Sequence, residues 1–247
     1  MDVGSVVALA ALIFIAALLY SSVGHAGASG YLAAMALFGL APVIMKPTAL
    51  SLNILVSVIV TIKFYRAGHF SWSLFWPFAL ASIPFAVLGG YLSLPGAVYK
   101  PLVGLVLLGT AWKSLHEAKR LTAREINPQP LPVALFAGAG IGLLSGLTGV
   151  GGGIFLSPLL LLRGWAEPRK VSAVAAAFIL VNSVAGLLGL VSRSPELPAA
   201  LPWWALAAAV GGYIGSEFGS RRLGNPTIQR LLALVLAIAG LKMIITA

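Results

Sequence analysis

Two glycine-rich stretches hold the residues whose types and spacing suit the binding of an anion. The first, residues 22–32, reads Ser-Val-Gly-His-Ala-Gly-Ala-Ser-Gly-Tyr-Leu, and the second, residues 147–158, reads Leu-Thr-Gly-Val-Gly-Gly-Gly-Ile-Phe-Leu-Ser-Pro. Each interrupts an apolar run, although a glycine inside a helix costs about 1 kcal/mol. A helix that restarts after such a break presents free backbone N–H groups and the positive end of its dipole, which together attract anions. We therefore predict that the two breaks form the walls of one small anion site.

The predicted site includes both breaks and the polar side chains within them. His25 is the one histidine that falls in a predicted membrane region, and a polar group at that depth is a candidate for function. It acts either as a hydrogen-bond donor or proton carrier, or it is a histidine at the outer interface. The predicted substrate-binding residues of the breaks are Ser22, Gly24, His25, Gly27, Ser29, Gly30, Thr148, Gly149, Gly151, Gly152 and Gly153.

Further candidates lie in the apolar segments that follow the breaks. Asn53 and Asn182 either donate hydrogen bonds to the substrate or bond across helices, as amides in membrane helices do. Ser57 and Ser183 complete the predicted substrate-binding set. These two, like Thr148, are weaker candidates because hydroxyls within helices usually bond their own backbone.

The composition places the breaks in a membrane. Of the 247 residues, 60% are hydrophobic and 9% are charged, and the mean hydropathy is +1.00, whereas soluble domains carry about 25% charged residues. The absence of cysteine excludes disulfides and thiolate metal sites, and no Lys-Ser/Thr of an ATP-binding loop follows the glycines. We predict no cofactor, no metal and no nucleic-acid partner, because the net charge of +10 comes from basic loops between apolar spans.

Ten apolar segments follow one another, judged against the roughly 20 residues that cross hydrocarbon. They are residues 3–22, 27–44, 47–65, 72–92, 98–115, 131–147, 152–164, 170–191, 199–219 and 226–246. A polar interval divides them, so we predict a first transmembrane repeat at 1–115, a cytoplasmic linker at 116–130 and a second repeat at 131–247. The predicted fold class is an all-α polytopic membrane protein with two inverted repeats of about five helical segments, each opened by a Gly-broken helix pair.

Landmarks recur in the same order in both halves, which is the basis for predicting a repeat. After each break comes a basic turn, at residues 46–49 and 170–173, and later a Gly-Gly-Tyr motif, at residues 89–91 and 211–213. Each half ends with a lysine near the end of its last segment. Secondary transporters are built from repeats of this kind.

The distribution of basic residues predicts the orientation in the membrane. Twelve of the sixteen Lys and Arg fall on one face, which the positive-inside rule makes cytoplasmic: Lys63, Arg66, Lys113, Lys119, Arg120, Arg124, Arg163, Arg169, Lys170, Arg221, Arg222 and Arg230. The other face holds Lys46, Lys100, Arg193 and Lys242. Both termini are then outside the cell inner (plasma) membrane, and the halves are inverted. Glu217 is predicted to be a paired interfacial carboxylate, with proton coupling as the alternative.

Several motifs resemble one family of membrane proteins. Residues 149–153 followed by Pro158, with a weaker glycine-rich copy in the first half, are similar to the TauE/SafE family of sulfite-exporter-like permeases. Residues 30–35, 46–50 and 65–69 are similar to the same family, so the resemblance covers nearly the whole chain. It implies movement of small sulfur-containing anions such as sulfite, sulfoacetate or related sulfonates. The first break departs from the family's triple-glycine pattern, which bears on the identity of the substrate.

Residues and resemblance together predict a secondary transporter, not an enzyme, for a small anion, working by alternating access around a midplane site. Its partners are the anion and the lipid bilayer, and the energy source is the anion gradient, the membrane potential or a coupled proton. The direction of transport and the oligomeric state stay open. The alternatives are a passive anion channel, a structural scaffold, and an intramembrane serine protease. The last rests on residues 27–30, which match the Gly-x-Ser-Gly pattern of rhomboids and need a histidine within reach of the serine.

Overall fold

A computed structural model of the chain describes residues 2–92, 94–117, 127–192, 195–221, 237 and 240–245. All regular structure within these ranges is helical, which confirms the predicted all-α membrane fold. The helices are α1 (Val3–Ser21), α2 (Ala28–Leu37), α3 (Pro42–Arg66), α4 (Trp72–Tyr91), α5 (Gly96–Glu117), α6 (Leu131–Thr148), α7 (Gly153–Leu162), α8 (Pro168–Val191) and α9 (Leu201–Arg221). Residues 240–245 add a short helical stretch.

The helices are of two lengths, and the difference lies at the breaks. Within the described ranges, α1, α3, α4, α6 and α8 are long and apolar enough to cross a membrane. The ten residues of α2 and of α7 rise about 15 Å, which is half of a hydrocarbon core of about 30 Å. Each short helix follows a span-length helix directly after a glycine-rich break, so each half opens with a Gly-broken pair, as predicted.

The boundary between α2 and α3 corrects one prediction. The sequence predicts a basic turn at Lys46 on the outer face, but α2 ends at Leu37 and α3 begins at Pro42. Proline suits the first turn of a helix because its fixed φ is helical and its missing N–H is not needed there. The helix then continues through Pro47. Lys46 therefore lies inside α3, where only 7% of the residue is exposed.

The buried Lys46 ammonium binds the carboxyl end of α4. Its Nζ donates to the carbonyl oxygens of Gly89 at 3.1 Å, Gly90 at 3.2 Å and Leu92 at 3.3 Å. Carbonyls in the last turn lack helical partners and carry the negative end of the dipole. Lys46 thus satisfies these carbonyls and joins α3 to α4, whereas Lys170, its predicted counterpart, is exposed at the start of α8.

The two halves pack against each other reciprocally, because each half has a helix that packs along helices of the other half. The most buried of the span-length helices, α3 and α8, pack side by side. From the first half, α4 packs along α6 and α8, and from the second half, α9 packs along α1 and α3. Glycines bring the backbones close: a Cβ at Gly142 of α6 would lie 2.2 Å from Ser82 O of α4, and one at Gly215 of α9 would lie 2.1 Å from Leu18 O of α1. Small residues at such contacts are typical of membrane helices.

An ion pair joins α3 to α9. Lys63 donates to the Glu217 carboxylate and lies 3.9 Å from the centroid of the Tyr213 ring. Glu217 is therefore a paired carboxylate, as predicted, and its partner is on α3.

Several predictions fall outside the described residues. They are most of the linker at 116–130, most of the tenth segment at 226–246, and the positions of Lys119, Arg120, Arg124, Arg193, Arg222 and Arg230.

Candidate anion-binding site

The break between α1 and α2 turns the chain with two glycines in the left-handed region, which other residues rarely adopt. The φ angle is +82° at Gly24 and +112° at Gly27, the N-cap of α2. No side chain caps α2, and the bond from Tyr31 N to Gly27 O is the first of the helix. The N–H groups of residues 28–30 therefore have no partner within α2.

The break between α6 and α7 repeats this geometry with the same three-residue spacing. Gly149 ends α6 at a φ of +81°, and Gly152 begins α7 at +79° without a side-chain cap. The amides of Phe155 and Leu156 both bond to Gly152 O. The N–H groups of residues 153–154 come before these bonds, so α7 also presents an uncapped N-terminus.

His25 joins the two breaks. Its Nε2 lies 3.2 Å from Gly153 O and 3.0 Å from Ser157 Oγ, both on α7, and its Nδ1 lies 3.3 Å from Val23 O. Ser172 of α8 donates to the same Val23 O at 2.9 Å. His25 is 9% exposed, so its side chain lies in the protein interior.

A small cavity lies at the N-terminus of α2. Residues 25–29 form one wall, Val150, Ile154 and Ile179 form an apolar wall, and Tyr20 completes the lining. The cavity is small, because the space open to a water-sized sphere is about 10 Å³, roughly what one water molecule needs. Ile179 is at the middle of the 24-residue α8, so the cavity lies near the middle of the helix bundle.

Tyr20 is a cavity residue that sequence reasoning missed, because a tyrosine in an apolar helix is typical of packing. It is 5% exposed. Its hydroxyl lies near the Ser29 side chain but has no hydrogen-bond partner of normal geometry among the residues that the structure describes. The spacing to the following glycine could have indicated Tyr20. Tyr20 is four residues before Gly24 in the first break, and Ser145 is four residues before Gly149 in the second. The Ser145 hydroxyl is likewise buried with no partner among the described residues.

Two predicted side chains face the second break from α3 and α8. Asn53, at the middle of the 25-residue α3, donates to Val150 O at 3.4 Å. A Cβ at Gly151 would lie 2.8 Å from Asn53 Nδ2 and 3.1 Å from Ser183 Oγ. Asn53 Oδ1 and Ser183 Oγ are buried and have no partner among the described residues. The structure thus brings both residues beside the second break.

Comparison with known proteins identifies the family. The family model for the sulfite exporter TauE/SafE matches residues 9–243. The chain belongs to the TauE/SafE family. It is 44% identical over 241 residues to the "Probable membrane transporter protein y4hK" of Sinorhizobium fredii, which covers 96% of this chain and 98% of that protein.

More distant relatives carry similar names, as a TauE/SafE membership predicts. The chain is 26% identical over 154 residues to the "Probable membrane transporter protein MJ0441" of Methanocaldococcus jannaschii, covering 60% of this chain and 56% of that protein. It is 29% identical over 123 residues to a "Probable membrane transporter protein" of Xylella fastidiosa, covering 47% of this chain and 44% of that one. No solved structure matches. Family and helices together make this chain a multi-pass membrane transporter.

Other predicted site residues of this TauE/SafE protein bond elsewhere. Asn182 donates to Ser82 Oγ of α4 at 3.0 Å, which is the cross-helix role. The hydroxyls of Ser22, Ser57 and Thr148 donate to backbone carbonyls three or four residues earlier, at 2.7, 3.2 and 2.7 Å respectively. These four side chains are not part of the cavity lining.

The break residues divide into a cavity wall and packing contacts. Gly27 and Ser29 line the cavity. At the other predicted glycines of the breaks, an added Cβ would contact a neighbouring helix. The residue it would contact is Ser172 for Gly24, Ala16 for Gly30, Lys46 for Gly149, Phe178 for Gly152 and Ile179 for Gly153. Both breaks therefore bind the helices together as well as exposing backbone.

The cavity of this TauE/SafE protein offers neutral donors. Its lining contains no Asp, Glu, Lys or Arg, and the described residues hold no group of His, Cys, Asp and Glu that could bind a metal ion. His25 Nε2 lies within hydrogen-bonding distance of the Ser157 hydroxyl. Free N–H groups and hydroxyls can replace the hydration of an anion without holding it as tightly as a buried cation would.

Proposed function

We propose that this transporter moves a small anion by alternating access around the cavity at the N-terminus of α2. One observation carries the proposal: uncapped N–H groups, the unpartnered Tyr20 hydroxyl and His25 converge on one small space inside the bundle. Irregular backbone at membrane depth is tolerated where it lines a cavity, and half-helix N-termini in transporters are aimed at anionic substrate groups. The site residues are thus the wall at 25–29 with Tyr20, supported by Asn53 and Ser183 at the second break.

The size and the chemistry of the cavity favour a small substrate with one anionic group. The small size of the cavity favours an ion of a few heavy atoms over a drug-sized ligand. Val150, Ile154 and Ile179 supply the apolar part of the lining. The family description names sulfite, so sulfite, a sulfonate or another organosulfur anion is the substrate class that we propose.

We further propose that the two halves, 1–115 and 131–247, are inverted repeats joined by a cytoplasmic linker. The packing of the helices supports this. The first helix of the first half, α1, packs on α9 of the second half, and the first helix of the second half, α6, packs on α4 of the first half. The breaks support it as well, since Gly24 packs against the start of α8 and Gly149 against the start of α3. With the positive-inside rule, this arrangement gives an inner-membrane protein with both termini outside.

The first test is thermal stabilisation of the purified protein by sulfite, thiosulfate, methanesulfonate and sulfoacetate, with chloride and acetate for comparison. A ligand that binds the folded state raises the unfolding midpoint as its concentration passes Kd. Ala28, in the first turn of α2, is buried and lines the cavity, so Ala28→Leu should remove the shift. Ala34→Leu adds the same volume to the same helix outside the cavity lining and should keep it.

Two results would contradict the proposal. One is a wild-type protein whose midpoint no sulfur anion shifts, and the other is an Ala28→Leu variant that responds like Ala34→Leu. Flux into proteoliposomes then separates a carrier from a passive channel, because a carrier saturates and shows counter-transport of labelled anion.

A further inference from the structure

We propose that His25 is the proton-coupling residue of this transporter and takes up one proton when an anion occupies the cavity beside it. This inference rests on the proposed function and adds the coupled ion and the residue that binds it. His25 is suited to the role because an imidazole changes charge near neutral pH. It lines the anion cavity and at the same time bonds to the opposite break.

Each nitrogen of the His25 ring faces a backbone carbonyl. Nδ1 faces Val23 O at 3.3 Å and Nε2 faces Gly153 O at 3.2 Å. A neutral imidazole carries one N–H and can donate to one of these carbonyls, whereas the imidazolium carries two and can donate to both. The ring is therefore in a place where a second proton finds an acceptor already in position.

The Ser157 hydroxyl completes the hydrogen bonds of the neutral His25 ring. The Ser157 hydroxyl lies 3.0 Å from His25 Nε2 and 2.9 Å from Gly153 O, so it can donate to either. With a neutral ring protonated at Nδ1, the hydroxyl donates to Nε2. With a protonated ring, Nε2–H donates to Gly153 O and the hydroxyl turns back to that carbonyl. Buried polar groups need partners, and here both charge states have them.

Neighbouring charges also bear on the protonation of His25. Tyr20 lines the same cavity as His25 and Tyr31 donates to Ala26 O, and phenols are neutral near pH 7. From α8, the exposed Arg169 and Lys170 precede Ser172. From α3, Lys46 is bound to the carbonyls that end α4. An anion in the cavity would add a negative charge beside the ring, and such a charge favours the imidazolium.

The consequence is a reciprocal linkage between anion and proton. If the anion favours protonation, protonation raises the affinity for the anion by the same factor. Affinity is then highest at low pH and falls as the pH rises through the range in which His25 loses its proton. For one coupled proton, Kd rises by at most about tenfold per pH unit. A singly charged anion and the proton would then cross the membrane together as a neutral pair, and a doubly charged anion with one negative charge left.

The test measures proton uptake on binding by the full-length protein in detergent. Thiosulfate and methanesulfonate are suitable probes because both stay ionised between about pH 5 and 8, the range in which histidine titrates. Calorimetric titrations in two buffers with different ionisation enthalpies give the number of protons taken up per anion bound. We expect uptake of up to one proton in the wild type and in His69→Gln, and none in His25→Gln, whose residual anion binding no longer depends on pH.

A second measurement does not depend on the folding of the His25 variant. The chain contains three histidines, so ¹⁵N-histidine spectra are simple, and His69→Gln and His116→Gln identify the His25 signal by elimination. We expect the wild-type His25 ring to change from neutral to protonated on addition of thiosulfate or methanesulfonate at constant pH.

The outcomes separate the two proposals. Anion binding with no proton uptake, or with a His25 ring that stays neutral, overturns the coupling role and leaves the proposed function standing. The same holds if His25→Gln retains the full proton uptake. If neither these anions nor sulfite binds at any pH, both proposals fail.

Discussion

The unpartnered hydroxyl of Tyr20 leads to a prediction that separates a ligand-binding group from a packing group. Tyr20→Phe removes one oxygen and leaves the ring in place. The hydroxyl makes no hydrogen bond of normal geometry within the described part of the chain, so the anion-free variant loses no such bond and should be at least as stable as the anion-free wild type. A hydrogen bond to a charged group contributes about 1.5–3 kcal/mol. If the hydroxyl donates to the bound anion, Kd should rise by about 10- to 150-fold.

The assay is anion titration followed by the unfolding midpoint, with Tyr65→Phe as the control. Tyr65 is 64% exposed, so the same chemical change there should alter neither property. A tenfold rise in Kd removes about 1.4 kcal/mol of stabilisation at a fixed, saturating anion concentration. The reasoning fails if Tyr20→Phe binds anion as tightly as the wild type. It also fails if the anion-free variant is destabilised, because the hydroxyl would then be part of the packing.

Two further predictions concern stability. Lys46→Met should lower the free energy of unfolding by about 1–3 kcal/mol, because the carbonyls that end α4 lose a charged donor. Lys170→Met, at an exposed position, should change the thermal midpoint little. Equal effects of the two substitutions would contradict the role assigned to Lys46. Gly142→Ala should cost about 1–3 kcal/mol, because its Cβ would lie 2.2 Å from Ser82 O. Gly140→Ala, on the same helix with nothing within 4 Å, should be neutral or stabilising in the same melt, and loss of stability in both variants would refute the packing argument.

The breaks were predictable from sequence because their signal is local. A cluster of glycines in an apolar run can be recognised without knowing its neighbours, and the structure has a break at each predicted place. The positions of Gly27 and Ser29 in the cavity wall followed from the same pattern. That these residues bind substrate stays a prediction.

The contributions of Tyr20 and Lys46 were not predictable because each depends on distant parts of the chain, and for Asn182 the sequence left substrate binding and a cross-helix bond as alternatives. Lys46 in sequence is typical of a basic loop, and its burial follows from the carbonyls of residues 89–92. Asn182, like Asn53, is near the middle of an apolar segment, yet it bonds to Ser82 on α4. This difference arises from how α4 packs against α8, which hydropathy does not encode.

The reciprocal packing of α1 on α9 has a consequence for how the protein is made. Phe14 O lies against Gly211, and the two residues are separated by nearly two hundred positions in the chain. Ribosomes add about 5–20 residues per second, so α1 remains in the membrane for about 10–40 seconds before its neighbour is synthesised. For the first part of that interval, until α7 and α8 are synthesised, the first break has neither of these helices beside it. Its backbone must be shielded by the insertion machinery or remain at the aqueous surface until the second half arrives.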